Sequence, residues 1–127
     1  MRLLLDTHVF LWWDQGAATL ADAARTAIAR PENDIFISAA SVWEIAIKRR
    51  LGKLLFRGSA AAAIGLNGFR ALPVDPDDTE SAGALVWDHS DPFDRLLVAQ
   101  AIRHDLTFVT ADRIVRGFGG VAQLWAG

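Results

Sequence analysis

Residues 2–6 read Arg2-Leu3-Leu4-Leu5-Asp6. Three consecutive leucines with no polar alternation predict a strand covered on both faces, and strands of that kind belong to parallel sheets. The run stops at one acid. After it, Thr7-His8-Val9-Phe10-Leu11-Trp12-Trp13 turns apolar again, with a helix expected over Val9 to Trp13. An acid wedged between two apolar runs is not a residue of a solvated face. Its expected place is the carboxyl end of the first strand, where open α/β sheets form their ligand crevices. Locally, Asp6 reads equally as the cap of the helix that follows.

Outward from this stretch, strands and helices alternate. Thr19 is a suitable cap for a helix over Leu20 to Arg30, and Pro31-Glu32-Asn33-Asp34 is a turn cluster. Ile35 to Ser38 reads as a second strand, followed by a helix from Ser41 to Leu51 that Gly52 ends. The Ala-rich stretch from Gly58 to Gly68 is expected to be helical, Phe69 to Val74 is a third strand, and Pro76 to Trp87 a further helix. Asp91-Pro92 opens the clearest helix, with a capping Asp and Pro at the first helical position, running to about His104. Thr107 to Thr110 is a fourth strand, Gly117-Phe118-Gly119-Gly120 a turn, and a fifth strand lies within Gly120 to Trp125. This order predicts an α/β fold whose parallel sheet is flanked by helices.

The 127 residues, 52% of them apolar, fit one domain over positions 1–127. Cysteine is absent, which excludes disulfides and thiolate metal sites. No apolar run approaches the roughly 18 residues of a membrane span, and the N-terminus meets Asp6 too early for a signal peptide. A cytoplasmic protein without a membrane partner is expected. Thirteen basic and fifteen acidic residues give a net charge of −2, which argues against a passive nucleic-acid coat. The cations are nevertheless clustered. Lys48, Arg49, Arg50, Lys53 and Arg57 form either a solvated helix end or a phosphate-contacting patch.

Three more acids stand out. Asp112 follows the fourth strand as Asp6 follows the first, and it too reads as a cap or as a site residue. Asp94 lies in the first turn of its helix, where the dipole favours an acid. It also heads an apolar stripe of Leu97, Val98 and Ala101, so it is expected to point inward. Glu44 is ambiguous: Ser41-Val42-Trp43-Glu44 has the form of a capping box, and Lys48 sits one turn on. Gathered carboxylates require protons or cations to offset their repulsion. Oxygen donors without Cys or paired His suit Mg²⁺ or Mn²⁺ rather than zinc. Such an ion polarises phosphoryl oxygens and activates water, the logic of a nuclease. His8, His89 and His104 show no metal-ligand spacing and read as surface or capping residues. No Gly-rich phosphate loop and no Gly-x-Ser-x-Gly elbow is present.

Four segments together resemble the PIN-domain ribonucleases, specifically the VapC-type toxins of bacterial toxin–antitoxin pairs. They are Leu3-Leu4-Leu5-Asp6-Thr7-His8, Ser41-Val42-Trp43-Glu44-Ile45-Ala46-Ile47-Lys48, Asp91-Pro92-Phe93-Asp94-Arg95-Leu96-Leu97-Val98-Ala99-Gln100-Ala101 and Phe108-Val109-Thr110-Ala111-Asp112. The resemblance implies a single PIN-like domain with a five-stranded parallel sheet of order 3-2-1-4-5. It implies an acidic pocket of Asp6, Glu44, Asp94 and Asp112, with Asp6 and Asp94 as principal Mg²⁺ ligands. Glu44 would hold or orient the metal and its water, and Thr7 and Thr110 would be the polar neighbours of the acids. Asp91 would cap the helix.

The implied reaction is endonucleolytic hydrolysis of RNA by metal-activated water, leaving 5′-phosphate and 3′-hydroxyl ends. Arg95 and the Lys48–Arg57 cluster become candidate RNA contacts, although Arg95 also reads as a structural partner for a pocket acid. The implied partners are a VapB-type antitoxin and a second copy in a homodimer. Trp43 is expected in the core. Trp12 and Trp13 point about 100° apart on a helix, so one of them is expected at an interface. Alternatives are a PIN nuclease acting in RNA processing or on DNA without an antitoxin, and a catalytically idle interaction domain. The second requires a lost acid, and none of the four is missing. A haloacid-dehalogenase-like phosphatase would need Asp-x-Asp after the first strand, where position 8 is His.

Overall fold

The computed structural model describes residues 1–127. Five strands, β1 (Arg2–Leu5), β2 (Asp34–Ser38), β3 (Arg70–Leu72), β4 (Thr107–Thr110) and β5 (Gln123–Trp125), form one sheet in the order β3-β2-β1-β4-β5. Every neighbouring pair is parallel. Seven helices connect and cover the strands: α1 (Thr7–Gln15), α2 (Asp22–Ala29), α3 (Ala39–Arg50), α4 (Ala60–Leu66), α5 (Pro76–Ala84), α6 (Pro92–Arg103) and α7 (Arg113–Arg116). No helix is long and apolar enough to cross a membrane.

The unbroken leucine run of β1 follows from this architecture. Alternate side chains of a strand face opposite sides of the sheet. Leu3 and Leu5 enter one core with Val9 and Phe10 of α1, Ile28 of α2 and Ile45 of α3. Leu4 enters the other, with Leu97, Val98 and Ala101 of α6 and Phe108 of β4. A polar residue at any of the three leucine positions would be buried without a partner.

Most expected elements form, with shifted ends. α2 starts at Asp22 with no side-chain cap, and Thr19 is not its cap. The chain stays extended through Ala21 because its N–H bonds to Ala126 O at 2.9 Å, and the buried Leu20 anchors it there. α3 starts at Ala39, earlier than the capping-box reading of Ser41 requires, because Ser38 is its cap and accepts from Ala40 N–H at 3.0 Å. Gly52, at φ 73°, ends it as expected. α5 stops at Ala84 rather than Trp87. α6 ends in a left-handed turn at Asp105 (φ 53°), with Leu106 N–H returning to Ala101 O at 2.8 Å, a Schellman closure that sends the chain into β4. The short helix α7 has no clear signature in the sequence.

A buried polar chain ties α6 to the sheet and to α5. Ser38 Oγ donates to Gln100 Oε1 at 2.6 Å, and Gln100 Nε2 donates to Pro73 O and Asp78 Oδ2, both at 3.0 Å. Asp78 is fully buried. It also receives Arg103 and His104 and forms a reciprocal capping box with Asp75. Burial pushes its carboxyl up, but hydrogen bonds from Gln100, the Asp75 backbone, Arg103 and His104 outweigh this and hold it below the usual carboxylate range.

Asp78→Ala should therefore destabilise the fold by about 2–4 kcal/mol at neutral pH, because it leaves one N–H of the buried Gln100 without an acceptor and removes the capping-box partner of Asp75 and the buried partner of Arg103. A native carboxyl held low contributes stability above its unfolded value of 3.8 and loses it as pH falls through the lower native value. Urea melts should show the deficit of the variant at pH 7 and its shrinkage below about pH 4.

Candidate active site

Parallel pairing of β1 with β4 sets Leu5 opposite Val109, so Asp6, just past the end of β1, lies beside Thr110, the last residue of β4. Asp6 N–H still bonds to Val109 O at 2.9 Å. The residue is 5% exposed. Its Oδ1 accepts from Thr7 N–H at 2.8 Å, which caps α1, and its Oδ2 accepts from the Thr110 hydroxyl at 2.8 Å. The Thr110 oxygen accepts in turn from Asp112 N–H at 3.1 Å, and Asp112 Oδ1 caps α7 through Ile114 N–H at 2.8 Å. Asp6 and Asp112 are thus caps and crevice residues at once. With His8, Trp12 and Ala111 they line a hollow of about 200 Å³. A larger hollow of about 290 Å³, lined by Thr79, Ala82, Arg95 and Leu96 among others, contains no acid.

Asp94 and Glu44 approach from helices. Asp91 caps α6 through the N–H groups of Phe93 and Asp94, at 2.9 and 3.0 Å. Asp94 heads the expected stripe, whose members Leu97, Val98 and Ala101 are all buried. Its Oδ2 meets His89 Nε2 at 2.6 Å. Glu44 is buried, and its Oε2 accepts from Lys48 Nζ at 2.8 Å, an i,i+4 pair within α3. The capping-box reading of Glu44 fails, because Glu44 lies well inside a helix capped by Ser38. Ser41 faces inward instead, and its hydroxyl accepts from Thr7 Oγ1 at 2.9 Å. Thr7 therefore serves Asp6 through its backbone and ties α1 to α3 through its side chain.

The electrostatics record how these acids crowd. Burial raises the Asp6 carboxyl from 3.8 to about 7; the Thr110 hydroxyl and Thr7 N–H oppose the rise, and the charges of Asp94 and Glu44 add to it. Burial also raises the Asp94 carboxyl, opposed by the His89 hydrogen bond and reinforced by the charges of Asp91 and Asp112. Each of the four acids selected from the sequence is thus charge-coupled to another, while Asp6 and Asp112 are the two that line the hollow. The four acids offer oxygen donors only, and nitrogen groups stand beside them: His89 next to Asp91 and Asp94, Lys48 on Glu44, and His8 on the hollow with Asp6.

The other expected residues divide. Arg95 does not reach a pocket acid; its guanidinium donates to the backbone carbonyls of Ala82, Gly83, Leu85, Trp87 and His89. Arg49 donates to the carbonyls of Phe56 and Gly58 at 3.1 and 2.7 Å, while Arg50, Lys53 and Arg57 stay exposed without an ion pair. Trp43 is not a core residue. It is 63% exposed and meets Phe93 edge-on, with ring centroids 5.3 Å apart. Trp13 packs on Phe69 and donates to Asn67, while Trp12 borders the hollow beside Asp6. His89 was not legible as a neighbour of Asp94, because the loop that carries it has no periodic signal. Ser41 and Gln100 were equally hidden, since each earns its partner through a distant segment.

The family profile described as PIN domain matches residues 3–120. Ribonuclease VapC22 of Mycobacterium tuberculosis is 31% identical over 122 residues, covering 90% of this chain and 89% of that protein. Among solved structures, VapBC2 from Rickettsia felis bound to a promoter DNA fragment shares the fold, with a TM-score of 0.69 at 15% identity and full coverage of both chains. DNA-bound VapBC from Salmonella typhimurium does so with a TM-score of 0.68 at 16% identity over 98% of each chain. A toxin–antitoxin complex from Klebsiella pneumoniae does so with a TM-score of 0.64 at 21% identity, covering 94% of this chain and 95% of that one. With the profile matched from β1 to beyond α7 and the strand order β3-β2-β1-β4-β5, this chain belongs to the PIN-domain family.

Proposed function

We propose that residues 1–127 act as one Mg²⁺-dependent endoribonuclease domain, the toxin of a VapBC-type pair, with Asp6, Glu44, Asp94 and Asp112 as its working acids. The observation that carries this reading is the placement of Asp6, buried just past the end of β1 with its two oxygens held by Thr7 N–H and the Thr110 hydroxyl, and bordering one hollow with Asp112. A carboxyl raised to about 7 by burial and by two neighbouring acids is a poor resident of its own site until a cation joins it. The donor set fits a hard ion that takes oxygen ligands, and Mn²⁺ fits the same set. Asp6 and Asp94 would hold the cation, which when bound polarises the scissile phosphate and lowers the pKa of the attacking water.

The protein supplies the rest. Thr7 N–H and the Thr110 hydroxyl fix both oxygens of Asp6, so its carboxylate does not turn away as charge builds. Glu44 Oε2 is held by Lys48, which leaves Oε1 to accept a proton from the attacking water. Water adds to phosphorus as it gives its proton to Glu44, the bond to the 3′-oxygen breaks, and the departing oxygen takes a proton from solvent, giving 5′-phosphate and 3′-hydroxyl ends. Asp112 completes the crevice from β4. Arg50 and Lys53, exposed at the end of α3, are the phosphate contacts of this scheme, since Arg49 and Arg95 are committed to carbonyls and Lys48 to Glu44. A VapB-type antitoxin and a second copy of the chain are its protein partners. The support for the antitoxin is the similarity to ribonuclease VapC22 and the fold shared with VapBC complexes. We place this activity in the cytoplasm.

Purified protein should cleave single-stranded RNA with Mg²⁺ and not with EDTA. Asp94→Asn should reduce cleavage to background, and Glu44→Gln should slow it by about 10²-fold or more. RNA cleavage that survives EDTA and Asp94→Asn contradicts the assignment, and cleavage of DNA alone turns it to the DNA-directed alternative.

A second outcome concerns stability without metal. The native Asp6 pKa, about 7, exceeds its unfolded value of 3.8, so the folded state holds this proton more tightly. The metal-free protein therefore loses stability as pH rises between about 4 and 7, and regains it on acidification. Asp6→Asn removes the burden. In EDTA at pH 8 it should be the more stable form by about 1–3 kcal/mol, with the gap closing toward pH 4.5. Added Mg²⁺ should raise the melting temperature of the wild type and leave Asp6→Asn unmoved. A variant less stable than wild type in EDTA at pH 8 contradicts the crowded-charge account.

A further inference from the structure

Asp94 and Arg95 are consecutive on α6, and they meet again through a loop. The Arg95 guanidinium spends all its donors on one stretch of backbone. Nε donates to Ala82 O at 3.0 Å, Nη1 to Trp87 O at 2.6 Å and His89 O at 3.0 Å, and Nη2 to Gly83 O at 3.4 Å and Leu85 O at 2.8 Å. Between Leu85 and Ser90 the backbone makes one hydrogen bond with itself, Trp87 N–H to Leu85 O at 3.0 Å. The path of this loop is therefore set by Arg95. At its far end, His89 Nε2 lies 2.6 Å from Asp94 Oδ2, with the two side chains 16% and 15% exposed. The imidazole is also braced on its face. Trp87 lies 4.8 Å from it, centroid to centroid, and Phe118 lies 4.8 Å from Trp87 on a second tier.

We infer that His89 and Arg95 are positioning residues for Asp94: Arg95 pins the end of α5 and the 85–89 loop that follows it, and the loop delivers a His89 N–H that fixes the Asp94 carboxylate for cation binding. This rests on the reading of Asp94 as a cation ligand. An ionised carboxylate only accepts hydrogen bonds, so His89 Nε2 is the donor. With Oδ2 held, Oδ1 is the oxygen left for the ion. Outer partners of this kind orient metal-binding carboxylates and contribute to affinity without touching the ion. Lysine cannot replace Arg95, because a point charge with three donors does not span five carbonyls arranged around a planar fork. The role differs from an RNA contact, since no N–H of Arg95 remains free for phosphate.

Calorimetric titration of the full chain with Mn²⁺ tests this, beside RNA cleavage kinetics and thermal melts in EDTA. His89→Leu should weaken Mn²⁺ binding by about 10–100-fold. His89→Gln, whose amide N–H can replace Nε2–H, should recover most of the loss. Arg95→Lys should weaken Mn²⁺ binding like His89→Leu and speed amide exchange across residues 85–89, with KM for RNA unchanged. Mn²⁺ affinity in His89→Leu equal to wild type overturns the inference. So does a His89→Gln protein as weak as His89→Leu, which would mean that the ring packs rather than positions. An Arg95→Lys protein with normal Mn²⁺ affinity and a raised KM makes Arg95 an RNA contact and overturns its assigned role. If Asp94→Asn itself binds Mn²⁺ like wild type, the ligand assignment beneath the inference fails, a result separable from all of these.

Discussion

The hydrogen bond from the Thr110 hydroxyl to Asp6 Oδ2, 2.8 Å long and buried, joins the two strands on which the crevice depends. It exists because β1 and β4 pair in parallel with Leu5 opposite Val109. Beyond this pair β1 gives way to α1 at Thr7, and β4 ends at Thr110, shortly before α7. An acid at that step is cheap to tolerate locally, since it caps α1. It is costly electrostatically, since Asp94 and Glu44 lie close enough to raise its carboxyl further. The donors around Asp6 offset part of this cost, and the remainder leaves its carboxyl well above the usual carboxylate range.

α6 is located by two different polar devices on its two ends. At the carboxyl half, Gln100 and Arg103 join Ser38 of β2 to Asp78 of α5. At the amino half, Arg95 draws the end of α5 and the 85–89 loop onto the helix, and His89 returns to Asp94. Between them runs the apolar stripe that packs on Leu4 and Phe108. The apolar contacts supply adhesion but tolerate sliding; directional bonds at both ends fix the turn at which Asp94 faces the crevice.

Capping and a place in the crevice are not rivals. Asp6 and Asp112 cap α1 and α7 and also line one hollow, because a helix that starts at the carboxyl edge of a sheet presents its cap to the same space that a ligand would occupy. Glu44 went the other way. Its capping-box pattern with Ser41 was sound as local chemistry, yet the helix begins earlier, at Ala39, and so Glu44 is left inside it with Lys48 as partner. Trp43, beside it, is exposed where a core position was expected, because α3 turns Ser41, Glu44 and Ile45 inward.

The one-dimensional pattern determined the parallel sheet, through a leucine run that only a doubly covered strand accommodates, and the direction of Asp94, through helical spacing to Leu97, Val98 and Ala101. The matching steps from strand to acid at Asp6 and Asp112 were legible for the same reason: periodicity and caps act over a few residues. Partners separated by long stretches of chain were decided by the tertiary structure alone. Nothing near Thr7 announces Ser41, nothing near Ser38 announces Gln100, and nothing in Arg95 distinguishes a hand extended to RNA from one closed around five carbonyls. Long polar side chains bind whatever backbone the packing brings within reach, and only the folded chain settles what that is.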